Sequence, residues 1–168
     1  MKSSLENAFA PARIAISIIL ERCPMQRGRW SFIDWRVVGA VAGQAFAEAE
    51  PKCALVHSDG QHRQYLWSGF HLSLYKDSAE SYWYNLVGKQ PSLFVVCTAR
   101  DGHEMAPLMV SAKYDEAADF METGTKVFAT PMPPEVYRWL EDYVLQNYEP
   151  QEPKKRMRRK WGVDHDQP

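Results

Sequence analysis

Cysteine is scarce and scattered. The 168 residues hold three, Cys23, Cys53 and Cys97, and no C-x-x-C pair. An odd set of isolated cysteines argues against a disulfide framework and fits reduced thiols in a reducing, cytoplasmic compartment. Long apolar runs are also missing. Ile14 to Leu20 is short and follows Arg13, too little to span a bilayer and unlike a signal peptide. No internal repeat is present.

The motifs of common chemistry are missing as well. "HEMAP" (103–107) begins like H-E-x-x-H, but Pro107 stands where the second imidazole belongs and would break the helix that aligns the two ligands. "GAVAG" (39–43) has neither the Lys-Ser/Thr of a phosphate loop nor the third glycine of a dinucleotide turn, and reads as glycines in or ending a strand. There is no G-x-S-x-G elbow. Cys53, His57 and His62 form C-x3-H-x4-H, a spacing soft enough for zinc, yet no second close pair completes a structural site. The expectation is therefore no catalytic residue, no metal and no cofactor.

What is present is a globular composition, 45% hydrophobic and 12% aromatic, in a chain long enough for one domain with a real core. Charge is unevenly placed. Six of the 20 basic residues (Lys154, Lys155, Arg156, Arg158, Arg159 and Lys160) lie in "KKRMRRK". The remaining 14 face 21 acidic residues, a balance of −7. This is an acidic body with a basic tail. Such a tail can meet nucleic-acid phosphates, an anionic membrane surface or an acidic protein partner, or serve only as a solubilising end; the acidic body argues against nucleic acid, because it would repel the polymer. The organisation expected is a flexible arm over 1–11, one domain over 12–148 and a disordered basic tail over 149–168.

Period two in "RIAISIILER" predicts a half-buried strand, with Ile14, Ile16, Ile18 and Leu20 on the core side. Pro24 and Gly28 mark "CPMQRGRWSFID" as a loop, and "WRVVGAV" (35–41) pairs back as a hairpin. Asp59-Gly60 is a hairpin turn. In "YLWSGFHLSLY" (65–75), strict alternation sets Leu66, Phe70, Leu72 and Leu74 against Tyr65, Trp67, His71 and Tyr75. "SLFVVCTA" (92–99) reads as a central strand. "MAPLMVSA" (105–112) pairs with it across Asp101-Gly102, with Pro107 at an edge or bulge. "TKVFATPM" adds a short strand.

Helical spacing covers three stretches. In "KDSAESYWYNLVG", Ala79, Tyr82, Trp83 and Leu86 form the apolar stripe, Asp77 and Glu80 the cap, and Gly88 a left-handed stop. Tyr84, about 200° around the helix from Tyr82, faces outward and is a candidate partner contact. "YDEAADFMETG" carries Tyr114, Ala117, Ala118 and Met121, with Asp115 as cap and Gly124 as stop. "PPEVYRWLEDYVLQNY" (133–148) buries Val136, Leu140, Tyr143 and Val144, with Pro134 in the first turn. The fold class is α+β: one antiparallel sheet of five or six strands, with three helices mostly in the C-terminal half.

Several stretches together resemble a known family. These are "ERCP…W…W.VVG" (Glu21, Arg22, Pro24, Trp30, Trp35 and Gly39), "YWYNLVGKQPSLFVV", "YDEAADFMETG", "PMPPEVYRWLEDYV" and "YEPQEPKKRMRR". Residues 21–161 resemble an uncharacterised bacterial family encoded beside formate dehydrogenase and molybdenum-cofactor genes. Some of its members are labelled molybdopterin-guanine dinucleotide biosynthesis proteins. The opening "RIAISIILERCPMQ" has no Gly-rich loop to cradle a nucleotide's phosphates. Together with the missing catalytic motifs and a tail suited to docking, the resemblance leads to the expectation of a non-catalytic accessory protein of a formate dehydrogenase or related molybdoenzyme, with Tyr84 and the tail residues Lys154, Lys155, Arg156, Arg158, Arg159, Lys160 and Trp161 as candidate partner contacts. Two alternatives stay open: a ligand-binding domain or enzyme with a pocket near His71, and nucleic-acid binding in which the tail meets phosphates and Trp161 stacks on a base.

Overall fold

The first strand is buried on both faces. The structure, a computed structural model, describes residues 11–43, 49–100, 104–120 and 125–150. In it β1 (Ala12–Arg27) runs between two neighbours, β2 (Trp30–Ala42) and β4 (His62–Leu74). Ile16, Ile18 and Leu20 point into the hydrophobic core as their alternation predicts. Ala15, Ser17 and Glu21, expected to face solvent, are buried too. On the second face, side chains of β2 and β4 close over those of β1, as Arg36 and Gln64 do over Glu21.

The stretch predicted as a loop, 23–34, is instead a hairpin extension. Strand pairing continues from Cys23↔Asp34 to Arg27↔Trp30, and the chain reverses at Gly28, whose φ of 60° suits a tight turn. Pro24 is tolerated at β1's outer end, where β4 pairs only as far as Arg22↔Arg63. A second hairpin turns at Gly60 (φ 60°), as Asp59-Gly60 signals, and joins β3 (Lys52–Asp59) to β4. All four strands are antiparallel, in the order β2-β1-β4-β3.

β4 contains a bulge that strict alternation conceals. Ile16 pairs with Phe70, but Ile18 pairs with Trp67, so β4 spends one extra residue there. Gly69, with φ 88°, sits in the bulge. Residues directly opposite in an antiparallel pair share a face, so Tyr65 and Trp67 join Phe70, Leu72 and Leu74 on the core side. Leu66 and His71 lie on the other. The predicted face of Tyr65, Trp67 and His71 is thus corrected.

The remaining strands form a separate sheet, in the order β6-β5-β7: β5 (Ser92–Arg100), β6 (Glu104–Ser111) and β7 (Lys126–Pro131). The expected single sheet is therefore two, of four and three strands. β5 is central, as its apolar run predicts. Pro107 lies both on an edge strand and beside a register shift, since Val96 pairs with Met109 and Cys97 with Pro107. "HEMAP" thus leads into a strand, not a helix. The sheets approach each other where β2 nears β7 and β4 nears β6.

α1 (Ala79–Val87) follows a single 3-10 turn, Lys76–Ser78. Ala79, Tyr82 and Leu86 are buried and Trp83 half-buried, as the stripe requires. Its ends differ from expectation: neither the turn nor α1 has a side-chain cap, and Gly88 is extended (φ −66°, ψ 169°). The α1 end is tied down by Asn85, which donates to the carbonyls of Ser92 and Ala112 at 2.8 Å each and accepts from the Ser92 N–H at 3.0 Å. α2 (Tyr114–Ala118) is shorter than predicted and begins after Lys113; only its Ala117 is buried, and Tyr114 is exposed, edge-to-face on Phe94. The expected Met121 and Gly124 lie outside the described residues, as do Asp101-Gly102. α3 (Pro134–Asn147) buries Val136, Leu140 and Val144, with Pro134 in its first turn. One hydrophobic cluster takes side chains from both sheets, α1 and α3.

Candidate functional site

The outer face of the four-stranded sheet carries a buried charge. Alternation along β1 puts Glu21 and Cys23 on that face, opposite Arg36 and Asp34 of β2, with Gln64 of β4 across from Glu21. Arg36 Nε and Nη2 both donate to Glu21 Oε2. Gln64 Nε2 donates to Oε1 at 3.1 Å, and Cys23 Sγ donates to Oε2 at 3.3 Å. Glu21 and Cys23 are buried, whereas the Arg36 side chain is 62% exposed. His62, exposed at the start of β4 beside the turn, completes a donor group. One ligand atom each from Glu21, Cys23 and His62 lies within 4.8 Å of the others.

This network tunes its members in opposite directions. The Gln64 hydrogen bond, and then the Arg36 and Cys23 contacts, hold the Glu21 carboxyl below the usual carboxylate range, against the effect of burial. Burial, and next the Glu21 hydrogen bond, push the Cys23 thiol up. A depressed carboxylate contributes stability that is present above its unfolded pKa and is lost as pH falls through its folded one. The stability gap between the parent and Glu21→Gln should therefore narrow as pH drops below the ordinary carboxylate range. Urea midpoints measured across that range check it, and a gap that widens in acid contradicts it.

The tip of the same hairpin is apolar and open to solvent. Met25 and Phe32 pair across it, as do Arg27 and Trp30, on the face that carries Cys23. Trp30 is 80% exposed, and Met25, Phe32 and Ile33 are exposed as well.

Residues singled out in the sequence fall elsewhere. Cys53 pairs with Trp67 on the core side, while a register shift between Leu55 and His57 turns His57 to the Gln64 side. C-x3-H-x4-H is therefore split across two faces. His71 sits opposite Ala15 on the outer face, away from Tyr65 and Trp67. Tyr84 is 63% exposed on α1, turned from the buried stripe, and borders a groove of about 290 Å³ with Phe94 and Tyr114. Lys154, Lys155, Arg156, Arg158, Arg159, Lys160 and Trp161 lie outside the described residues.

A family of proteins of unknown function, DUF3305, matches residues 15–158. The chain belongs to DUF3305. No curated protein and no solved structure matches it. The DUF3305 match spans both hairpins, Glu21, Cys23 and His62, Tyr84, and the basic run as far as Arg158. No helix among the described residues of this DUF3305 chain is long and apolar enough to cross a membrane.

Sequence reasoning missed the Glu21 cluster because its parts are far apart. His62 follows Cys23 by nearly forty residues, and Cys23 stood at the head of a supposed loop. The available signal was the i, i+2 spacing of Glu21 and Cys23, which places both on one face once the strand is known to continue.

Proposed function

We propose that the protein is a non-catalytic accessory protein that docks a formate dehydrogenase or related molybdoenzyme during its maturation or assembly in the cytoplasm. The observation that carries the docking reading is the hairpin tip. Trp30 stands 80% exposed on the same face as exposed Met25 and Phe32, with Arg27 and Arg29 flanking it. Contiguous exposed apolar surface marks interaction sites, and Trp and Arg are the side chains that most often dominate binding at an interface centre. The choice of partner rests on the resemblance through Arg22, Pro24, Trp30 and Trp35, which are residues of this hairpin. Three free thiols fit the cytoplasmic setting.

Co-purification with tagged formate dehydrogenase from the native host tests it. Trp30→Ala with Phe32→Ala should weaken recovery about tenfold or more, with stability within about 0.5 kcal/mol of the parent. Truncation after residue 150 tests the basic run in the same assay, and Tyr84→Ala tests the α1 surface. If the parent does not associate, and a deletion strain keeps normal formate dehydrogenase activity, the reading fails.

A further inference from the structure

We propose that Glu21, Cys23 and His62 form a binding site for a thiophilic divalent cation of the zinc class, with a fourth coordination position open to solvent. The set is built by strand geometry. Glu21 and Cys23 are i, i+2 on β1, and His62 is the next residue of β4 beyond the Arg22↔Arg63 pair. Two side chains from one strand and one from its β4 neighbour thus converge, and the side toward β2 is held by the mostly exposed Arg36. Carboxylate, thiolate and imidazole are all zinc ligands, and three protein ligands with one open position is the arrangement of reactive zinc sites.

Distances and charge agree with this assignment. A tetrahedral ion about 2.3 Å from sulfur and about 2.0 Å from oxygen sets those atoms roughly 3.5 Å apart. Cys23 Sγ and Glu21 Oε2 are 3.3 Å apart. The cation would take the place of the thiol proton between them. His62 is exposed, so its ring can rotate to close the remaining gap within the 4.8 Å group. One carboxylate and one thiolate balance the two charges of the ion, which meets the cost of placing it among buried groups. On binding, the S–H bond breaks, the metal–sulfur bond forms, and the thiol proton leaves to solvent. Gln64 on Oε1 would hold the carboxylate in orientation from behind. Arg36 is the resident competitor for Oε2; its side chain is mostly exposed and can swing away.

The probe is Co²⁺ added to the reduced, untagged full chain, followed by absorption. One equivalent should give a thiolate-to-cobalt charge-transfer band with strong visible bands, and binding should release a thiol proton. Cys23→Ser should abolish the charge-transfer band. His62→Ala, at an exposed position, removes a direct ligand and should weaken binding by at least the roughly tenfold that loss of an outer-shell partner costs. Cys53→Ser should leave the spectrum unchanged, and Arg36→Gln should tighten binding. The assignment is overturned if the parent gives no band, if the band survives in Cys23→Ser, if Cys53→Ser removes it, or if His62→Ala binds as the parent does. Binding needs no protein partner, so its failure and the failure of docking are separate results.

Discussion

Gly69→Ala should cost about 3 kcal/mol of folding stability. Two effects add at this position. With φ at 88°, Gly69 occupies a backbone region that side chains strain to adopt. A Cβ built there would also stand 2.3 Å from the Glu50 carbonyl oxygen and 2.8 Å from the Pro51 nitrogen, which are backbone atoms with little room to yield. The approach has a structural purpose. β3 pairs with β4 only as far as Lys52↔Ser68, and the segment entering β3 crosses the bulge just beyond. Gly60→Ala is the control. Gly60 has φ 60° but nothing within 4 Å of the added atom, so strain alone remains, about 1–2 kcal/mol. Urea denaturation of the two variants checks the difference. Equal losses would mean that the crossing backbone moves aside at no cost.

The bulge also explains where the sequence could be read and where it could not. Alternation places Ile16, Ile18 and Leu20 correctly, because β1 keeps period two through its core segment. In β4 the extra residue reverses the phase, so Tyr65 and Trp67 sit on the face that a straight count gives to Leu66. Gly69 was the visible trace of this, since an isolated glycine in a strand often marks a bulge. The helices were legible through their apolar stripes, because burial enforces helical spacing. Their ends were not: Asn85, bridging α1 to Ser92 and Ala112, does work that the expected caps were assigned. Division into two sheets left no local mark, since strand partners are set by contacts between distant residues.

Each half of C-x3-H-x4-H was visible, and a register shift in β3 undid it by sending Cys53 and His57 to opposite faces. The Glu21, Cys23 and His62 group was invisible for the converse reason. It needs β1 and β4 in register, and it needs β1 to continue as a strand through Cys23, where Pro24 and Gly28 suggested a loop. Glycine at a two-residue turn and proline toward an outer strand end are compatible with a long hairpin, so neither signal separates loop from strand alone.

Within "ESYWYNLVG" two tyrosines two residues apart should respond in opposite ways. Tyr82 is 2% exposed, packs edge-to-face on Tyr143 with centroids 6.3 Å apart, and its hydroxyl accepts from the Tyr75 N–H at 3.2 Å. Burial raises its pKa, as expected for a phenol held in the core. Tyr82→Ala should lose about 3–5 kcal/mol, through lost transfer energy and the cavity between α1 and α3. Tyr82→Phe keeps the ring and leaves the Tyr75 N–H without its acceptor, a cost of about 1–3 kcal/mol. Tyr84→Ala, on the exposed side of the same helix, should stay within about 0.5 kcal/mol. Urea midpoints at unchanged slope give all three values. The contrast between the Tyr82 and Tyr84 variants follows from one helical rotation. A Tyr84→Ala loss comparable to that of Tyr82→Ala would mean that α1 packs on a different face and that Tyr84 is not free to meet a partner.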